Sequence, residues 1–267
     1  MTPLIRIWNL TTLFLMIGCN QRPLNQPAEI EKGSATASSS KYSNPAKNGP
    51  LPSDPVSSEL GAQEPTRAEF AVRWDPSEGG LANAQEVLSF LKAHRKTEEV
   101  FEVRYYDLEP PANAPPDSIT ILRQRRQQGG KTEIRLKYRR TQPLDENWEC
   151  PNDRLYEKSE EVDLSFVGTR LPNRVYSYSC TLIAQQPPVS LHAVPKKCSA
   201  RVVRYEFHKF KIEEWTFPDG NVKLELSRSA ENSGAELAKF QKVVTRLLEQ
   251  GVRPSHQSKT ELGSQCP

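Results

Sequence analysis

The sequence predicts an α+β fold, a mostly antiparallel β-barrel or strongly curved sheet carrying two or more flanking helices. Three observations lead there. Runs of strand length, rich in β-branched and aromatic residues, recur from Ala68 to Ser227. Turn-forming residues, Gly129-Gly130 and Pro218-Asp219-Gly220 among them, separate neighbouring runs and favour antiparallel pairing. Apolar residues fall at helical spacing in only two stretches, and those lie at the two ends of the strand-rich region.

Taken in order, Ala68 to Trp74 has the mixed polarity of a half-buried strand and opens the folded region. Behind Pro76 and Gly79-Gly80, the spacing of Leu81, Ala84, Leu88 and Leu91 predicts an amphipathic helix of about four turns ending near His94. Strands follow at Val100 to Asp107, Ser118 to Arg126 and Thr132 to Arg139, the last two joined as a hairpin across Gly129-Gly130. Less regular strands are expected at Glu161 to Phe166 and Val175 to Ile183, with Pro187-Pro188 and Pro195 marking loops. Arg201 to Phe207, Phe210 to Phe217 and Asn221 to Ser227 continue the antiparallel pattern. The closing helix has Ser233 as N-cap and Glu236 three residues on. Leu237, Phe240, Val244, Leu247 and Leu248 form its apolar face, and Gly251 and Pro254 stop it. The tail after Pro254 reads as frayed apart from Cys266.

The N-terminal part is of another kind. Arg6 precedes an apolar stretch holding Leu10, Leu13, Phe14, Leu15, Met16 and Ile17, the layout of a signal peptide. It is shorter than the roughly 20 residues that span a bilayer. It ends in Met16-Ile17-Gly18-Cys19, which resembles the lipobox of bacterial lipoproteins, with Met16 in place of the usual Leu. The resemblance implies a diacylated Cys19, stable anchoring through two or three acyl chains, and a place in the bacterial cell envelope. In a Gram-negative cell this would be the periplasmic face of the outer membrane. From Asn20 to Thr66 the chain is rich in Pro, Ser, Asn, Gln and Ala, has Tyr42 as its only aromatic residue, and cannot bury enough apolar surface to fold. The expected organisation is a signal peptide over 1–18, a lipidated leash over 19–66, a globular domain over 67–254 and a tail over 255–267. Export would place Cys150, Cys180, Cys198 and Cys266 in an oxidising compartment, where two disulfides can form; four cysteines admit three pairings and the spacing does not choose among them.

A net charge of +3 does not by itself imply a polyanionic partner, because attraction depends on where charges cluster. They cluster in the central hairpin. Arg123, Arg125, Arg126, Lys131, Arg135, Lys137, Arg139 and Arg140 stand against Glu133 alone. Alternation puts Arg123 and Arg125 on one face, and Glu133, Arg135, Lys137 and Arg139 on one face of the next strand, with Ile134, Leu136 and Tyr138 opposite. Such a wall suits phosphate, since guanidinium forks bind two oxygens at once and Lys adds a point charge. An ordinary solvated strand face with cross-strand ion pairs is the competing reading.

Glu69-x-Ala71-x-Arg73, a helix, Tyr105-Tyr106-Asp107, Leu122-Arg123-Gln124-Arg125 and Leu136-Lys137, in that order, resemble the CYTH-type triphosphate tunnel family from about Ala68 to Gly251. The resemblance implies an antiparallel barrel whose tunnel binds a triphosphate through basic residues and holds divalent metal through glutamates. Carried over residue by residue, it makes Arg73, Arg123, Arg125 and Lys137 anion-binding, with Arg135 and Arg139 adding charge, and Glu69 and Glu225 metal ligands. The family's opening Glu-x-Glu-x-Lys is altered, with Ala71 for the second acid and Arg73 for the lysine, and Lys223 stands where a second late acid would be expected. Hard cations such as Mg²⁺ or Mn²⁺ need several oxygen ligands, so catalysis is thinned more than anion binding. For Glu69 and Glu225, salt bridges to neighbouring arginines stand beside metal ligation.

The reading preferred is a membrane-anchored lipoprotein with a basic anion- or phosphate-binding β domain that is not an enzyme and has no certain cofactor. Its partners would be the membrane through the lipid, an anionic small molecule or polyphosphate, and an envelope protein. The alternative is a metal-dependent tri- or polyphosphate hydrolase using Mg²⁺ or Mn²⁺. His208 has no identifiable nucleophile partner to make it an acid or base. Nucleic acid is not expected, for want of a stacking platform and because of export.

Overall fold

The computed structural model describes residues 64–93, 97–144, 148–151, 156–168 and 171–264. The expected signal peptide, Cys19, the expected leash up to residue 63 and Cys266 lie outside the described residues. Nine strands close into a barrel: β1 Arg67–Trp74, β2 Thr97–Asp107, β3 Ile119–Gln127, β4 Thr132–Arg140, β5 Glu157–Phe166, β6 Asn173–Ile183, β7 Val194–Phe207, β8 Phe210–Thr216 and β9 Val222–Glu231. Around the barrel they run β1-β5-β6-β4-β3-β2-β7-β8-β9 and back to β1. Every pairing is antiparallel except β1 with β5, so the expected mostly antiparallel barrel is what the chain forms. Closure satisfies the hydrogen-bonding edges that an open sheet would leave bare.

Strand alternation is inverted relative to a barrel with an oily centre. On β4 the outward residues Ile134, Leu136 and Tyr138 are fully buried, while the inward Glu133, Arg135, Lys137 and Arg139 keep partial exposure to the barrel interior. The main core therefore lies outside the barrel, between the strands and two helices, α1 Ala84–Phe90 and α2 Gly234–Glu249. On α2, Phe240 sits 5.9 Å from the Phe70 ring and 5.4 Å from Phe166, with Val244 and Leu247 buried on the same stripe. A smaller apolar cluster, Phe101, Val103, Tyr105, Ile121, Ala200, Val202, Trp215 and Phe217, occupies part of the interior along β2, β7 and β8.

Ser233 caps α2 as expected, accepting the Glu236 N–H. The first helix is shorter than the periodicity suggests. A 3₁₀ turn at Pro76–Glu78 and the left-handed Gly80, where a Cβ would meet Val252 at 2.6 Å, delay its start to the Asn83 cap. Lys92, at positive φ, lies just past its end. The folded region also begins earlier than residue 67: Glu64 bonds Arg174 and Tyr176, and Asn232 donates to the Thr66 carbonyl. The tail is not frayed. Ser255 donates to the Arg73 carbonyl at 2.7 Å, and Lys259–Ser264 forms a third helix, α3, packed against β2 and β7. Cys150 and Cys180 form a disulfide, tying the loop before β5 to β6, and Cys198 is disulfide-bonded too. Among the described residues no helix is long and apolar enough to cross a membrane.

Candidate anion-binding tunnel

Register decides what meets inside the barrel. Residues paired across a ladder point to the same face, so Arg123 lies beside Arg135 and Arg125 beside Glu133 on β3–β4. Glu69 lies beside Asp163 on β1–β5, Arg73 beside Glu225 on β1–β9, and Glu213 beside both Arg204 and Glu225 on β7–β8–β9. All of these side chains except Asp163 and Glu225 line a cavity of about 190 Å³. All six of the expected bases, Arg73, Arg123, Arg125, Arg135, Lys137 and Arg139, line it, and so does Glu69.

One part of the lining is internally neutralised. Arg73 donates to Glu225 and to Ser165, and Arg204 donates to Glu213 at 2.6 and 2.9 Å. Lys259 places its ammonium 2.7 Å from an oxygen of Glu213 and 2.7 Å from one of Glu225. Burial works against the Glu213 carboxylate. Lys259, Arg125 and Arg204 outweigh it and hold the group well below the usual carboxylate range. Glu225 is lowered in the same way, with Arg73 and Lys259 overcoming its burial. Lys137 bridges Glu161 at 3.3 Å and Asp163 at 3.1 Å, Arg139 reaches Asp163 at 3.2 Å, and Ser177 donates to Asp163 at 2.6 Å. Against its burial, Asp163 is thereby brought down to about 2.

The β3–β4 wall is different. Arg123 makes no ion pair among the described residues, Arg125 approaches Glu213 only to 3.6 Å, and Arg135 has Glu133 of its own strand at 3.3 Å. The Nε atoms of Arg123, Arg125, Arg135 and Arg139 are buried without a hydrogen-bond partner. Burial, and then the neighbouring charge of Arg123, push Arg125 down to about 9, only partly offset by Glu213. Guanidinium groups held this way have donors to spare and a charge that an entering anion would stabilise.

The two expected metal ligands part company. Glu225 makes the arginine salt bridge that stood beside metal ligation. Glu69 makes no hydrogen bond or ion pair among the described residues, and one oxygen of its carboxylate and one each from Glu161 and Asp163 lie within 4.8 Å of one another. Burial, then the charges of Glu161, Glu225 and Asp163, raise its pKa above the ordinary value. Three carboxylates on two paired strands are a donor set that a hard divalent cation accepts, though Glu161 and Asp163 already carry Lys137 and Arg139. His208 sits exposed at positive φ on the β7–β8 turn, apart from the cavity lining.

Sequence reading missed Glu161, Asp163, Arg204, Lys211, Glu213 and Lys259. Five of them lie on strands that were located, at alternate positions with Arg204 and Glu213 facing each other across β7–β8. Extending the alternation beyond the basic hairpin would have found them. Lys259 carries no such local signal.

No family model and no curated protein matches this chain. Solved structures similar to it include two Pyrococcus horikoshii proteins. One is 16% identical with a TM-score of 0.43, covering 73% of this chain and 98% of its own. The other is 15% identical with a TM-score of 0.41, covering 73% and 97%. A Vibrio parahaemolyticus protein provisionally assigned as an adenylate cyclase is 11% identical with a TM-score of 0.39, covering 76% and 100%. Similarity of this degree says nothing about activity.

Proposed function

We propose that the barrel is a non-catalytic anion-binding module that takes a compact inorganic anion of the phosphate class, carried on an exported chain anchored by lipid at Cys19. One observation carries the reading: the Nε atoms of four arginines that line one cavity are buried without partners, and one of the four, Arg123, makes no ion pair among the described residues. The cavity measures about 190 Å³. It falls below the roughly 300–1,000 Å³ of pockets that enclose drug-sized ligands, which favours a small oligophosphate over a nucleotide. The resemblance to the triphosphate tunnel family points the same way.

Titration of the full chain with tripolyphosphate should give saturable, salt-sensitive binding that Arg123→Ala/Arg125→Ala strongly weakens. An absence of binding at low salt would defeat the reading. For the anchor, palmitate incorporation should vanish in Cys19→Ser, and persistence would remove the lipid from the account.

The Glu69, Glu161 and Asp163 cluster favours a second reading, a metal-dependent tri- or polyphosphate hydrolase. These three would hold Mg²⁺ or Mn²⁺, which when bound would neutralise charge developing on a phosphoryl group. Phosphate release from tripolyphosphate that requires Mn²⁺ and is lost in Glu69→Gln would establish it in place of the first.

A further inference from the structure

A second concavity lies on the outer face of the barrel. On β3 the inward Arg125 lines the tunnel, so alternation turns Arg126 outward. Phe101, Val103 and Val202 belong to the interior cluster, so Glu102 and Arg201 turn outward as well. Register then sets Arg126 beside Glu102, Glu102 beside Arg201 and Arg201 beside Thr216, one row of side chains across β3, β2, β7 and β8. The row lines a groove of about 590 Å³, against about 190 Å³ for the tunnel cavity. That volume lies within the roughly 300–1,000 Å³ of sites that enclose small organic molecules.

The floor of the groove is apolar and is held from within. Val100, Phe101 and Phe217 line it. On the interior side, the guanidinium carbons of Arg125 and Arg204 each stand 5.0 Å from the Phe101 ring centroid, and Trp215 stacks on Phe217 at 6.1 Å. Both phenylalanines are thus fixed before a ligand arrives, which lowers the ordering cost of binding.

Charges along the row do not cancel. Glu102 turns along its own strand to Arg104 at 3.3 Å, and neither Arg126 nor Arg201 makes an ion pair among the described residues. Both arginines are exposed. A planar guanidinium pairs with carboxylate oxygens through its fork and also stacks on aromatic faces. A flat apolar body with one carboxylate therefore satisfies floor and arginines together. An inorganic oligophosphate would leave the floor unused, and a neutral ring would leave the arginines unused.

We propose that this groove is a binding site for a small aromatic carboxylate, its ring over Val100, Phe101 and Phe217 and its carboxylate between Arg126 and Arg201. The site is separate from the tunnel, and the proposal does not depend on what the tunnel binds.

The test is calorimetric titration of the full chain with naphthalene-2-carboxylate as probe. Saturable binding of one probe per chain is expected, and tripolyphosphate should not displace it. Arg126→Ala/Arg201→Ala should weaken binding by about thirtyfold, through loss of hydrogen bonds to a charged group. Thr216→Trp keeps both arginines but fills the groove, and should weaken binding at least as much. Naphthalene-2-methanol, the same ring without the charge, should bind about tenfold more weakly. Glu102→Gln should tighten binding of the carboxylate by about threefold, in line with the worth of one exposed charge pair. No saturable binding by the unaltered chain would overturn the proposal. Displacement by tripolyphosphate would put the probe in the tunnel and would overturn it too. So would full affinity in Thr216→Trp or in Arg126→Ala/Arg201→Ala, or equal affinity for naphthalene-2-methanol.

Discussion

Two walls of the same tunnel carry similar side chains and do different things. On β8–β9 and the adjoining β1, Glu213 and Glu225 are saturated by Arg73, Arg204 and Lys259. On β3–β4, Arg123, Arg125 and Arg135 share Glu133 and one long contact to Glu213. Charge content alone would not separate the two. The difference lies in what remains after pairing: one wall is a buried salt-bridge network, and the other holds donors in reserve. A buried charge whose partners are all inside the protein supports the fold, and one whose partners are missing is available to a ligand.

The sharpest way to break this contrast is to empty the paired wall. Glu213→Gln would leave Arg204, Arg125 and Lys259 facing one another around a neutral amide, and should cost about 3–5 kcal/mol in denaturant unfolding. Adding Lys259→Met should recover part of that loss, because the two positions are directly coupled. A Glu213→Gln variant as stable as the parent would mean the network is not structural.

On the other wall, Arg123→Ala/Arg125→Ala should weaken tripolyphosphate binding by about a hundredfold, equivalent to roughly 3 kcal/mol, at a smaller stability cost than Glu213→Gln, because Glu213 keeps its closer partners Arg204 and Lys259. A large stability loss there would place these arginines with the paired wall.

Asp163 tests the β1–β5 side. Its carboxylate is depressed from 3.8 to about 2 in the folded chain, so its stabilisation is fully present above pH 3.8 and is lost as pH falls through 2. Over that window stability should decline by about 2 kcal/mol through this group, and Asp163→Asn should show a flatter acid limb in pH-dependent unfolding. The smallest effect concerns salt. At higher ionic strength, affinity for the anion should fall more than stability does, because the network is shielded and the ligand arrives from solution.

Much of the architecture could be read from local pattern. Pro218-Asp219-Gly220 and Gly129-Gly130 marked the turns, and Ser233 with Glu236 marked the start of α2. Strand alternation put Arg123, Arg125, Arg135, Lys137 and Arg139 on one face, and they do line one cavity. The length of α1 was less legible, since Leu81 and Leu91 fit helical spacing but the Gly80 contact with Val252 and the Asn83 cap delay its start. Resemblance located Glu69 and Glu225 as a pair, yet could not show that Glu225 is occupied by Arg73 and Lys259 whereas Glu69 faces Glu161 and Asp163.

By itself, then, the sequence determined most of the strands and their turns, the basic face and the capped final helix, because each depends on residues close together in the chain; that this face points inward, and that β7 runs back through Pro195, which reads locally as a loop, it did not. Only the tertiary structure decided the parallel pairing of β1 with β5, the division of charges into paired and unpaired, and the seat of Lys259 inside the barrel. Those depend on register between strands far apart in sequence, where a shift of one residue would turn every charge to the opposite face.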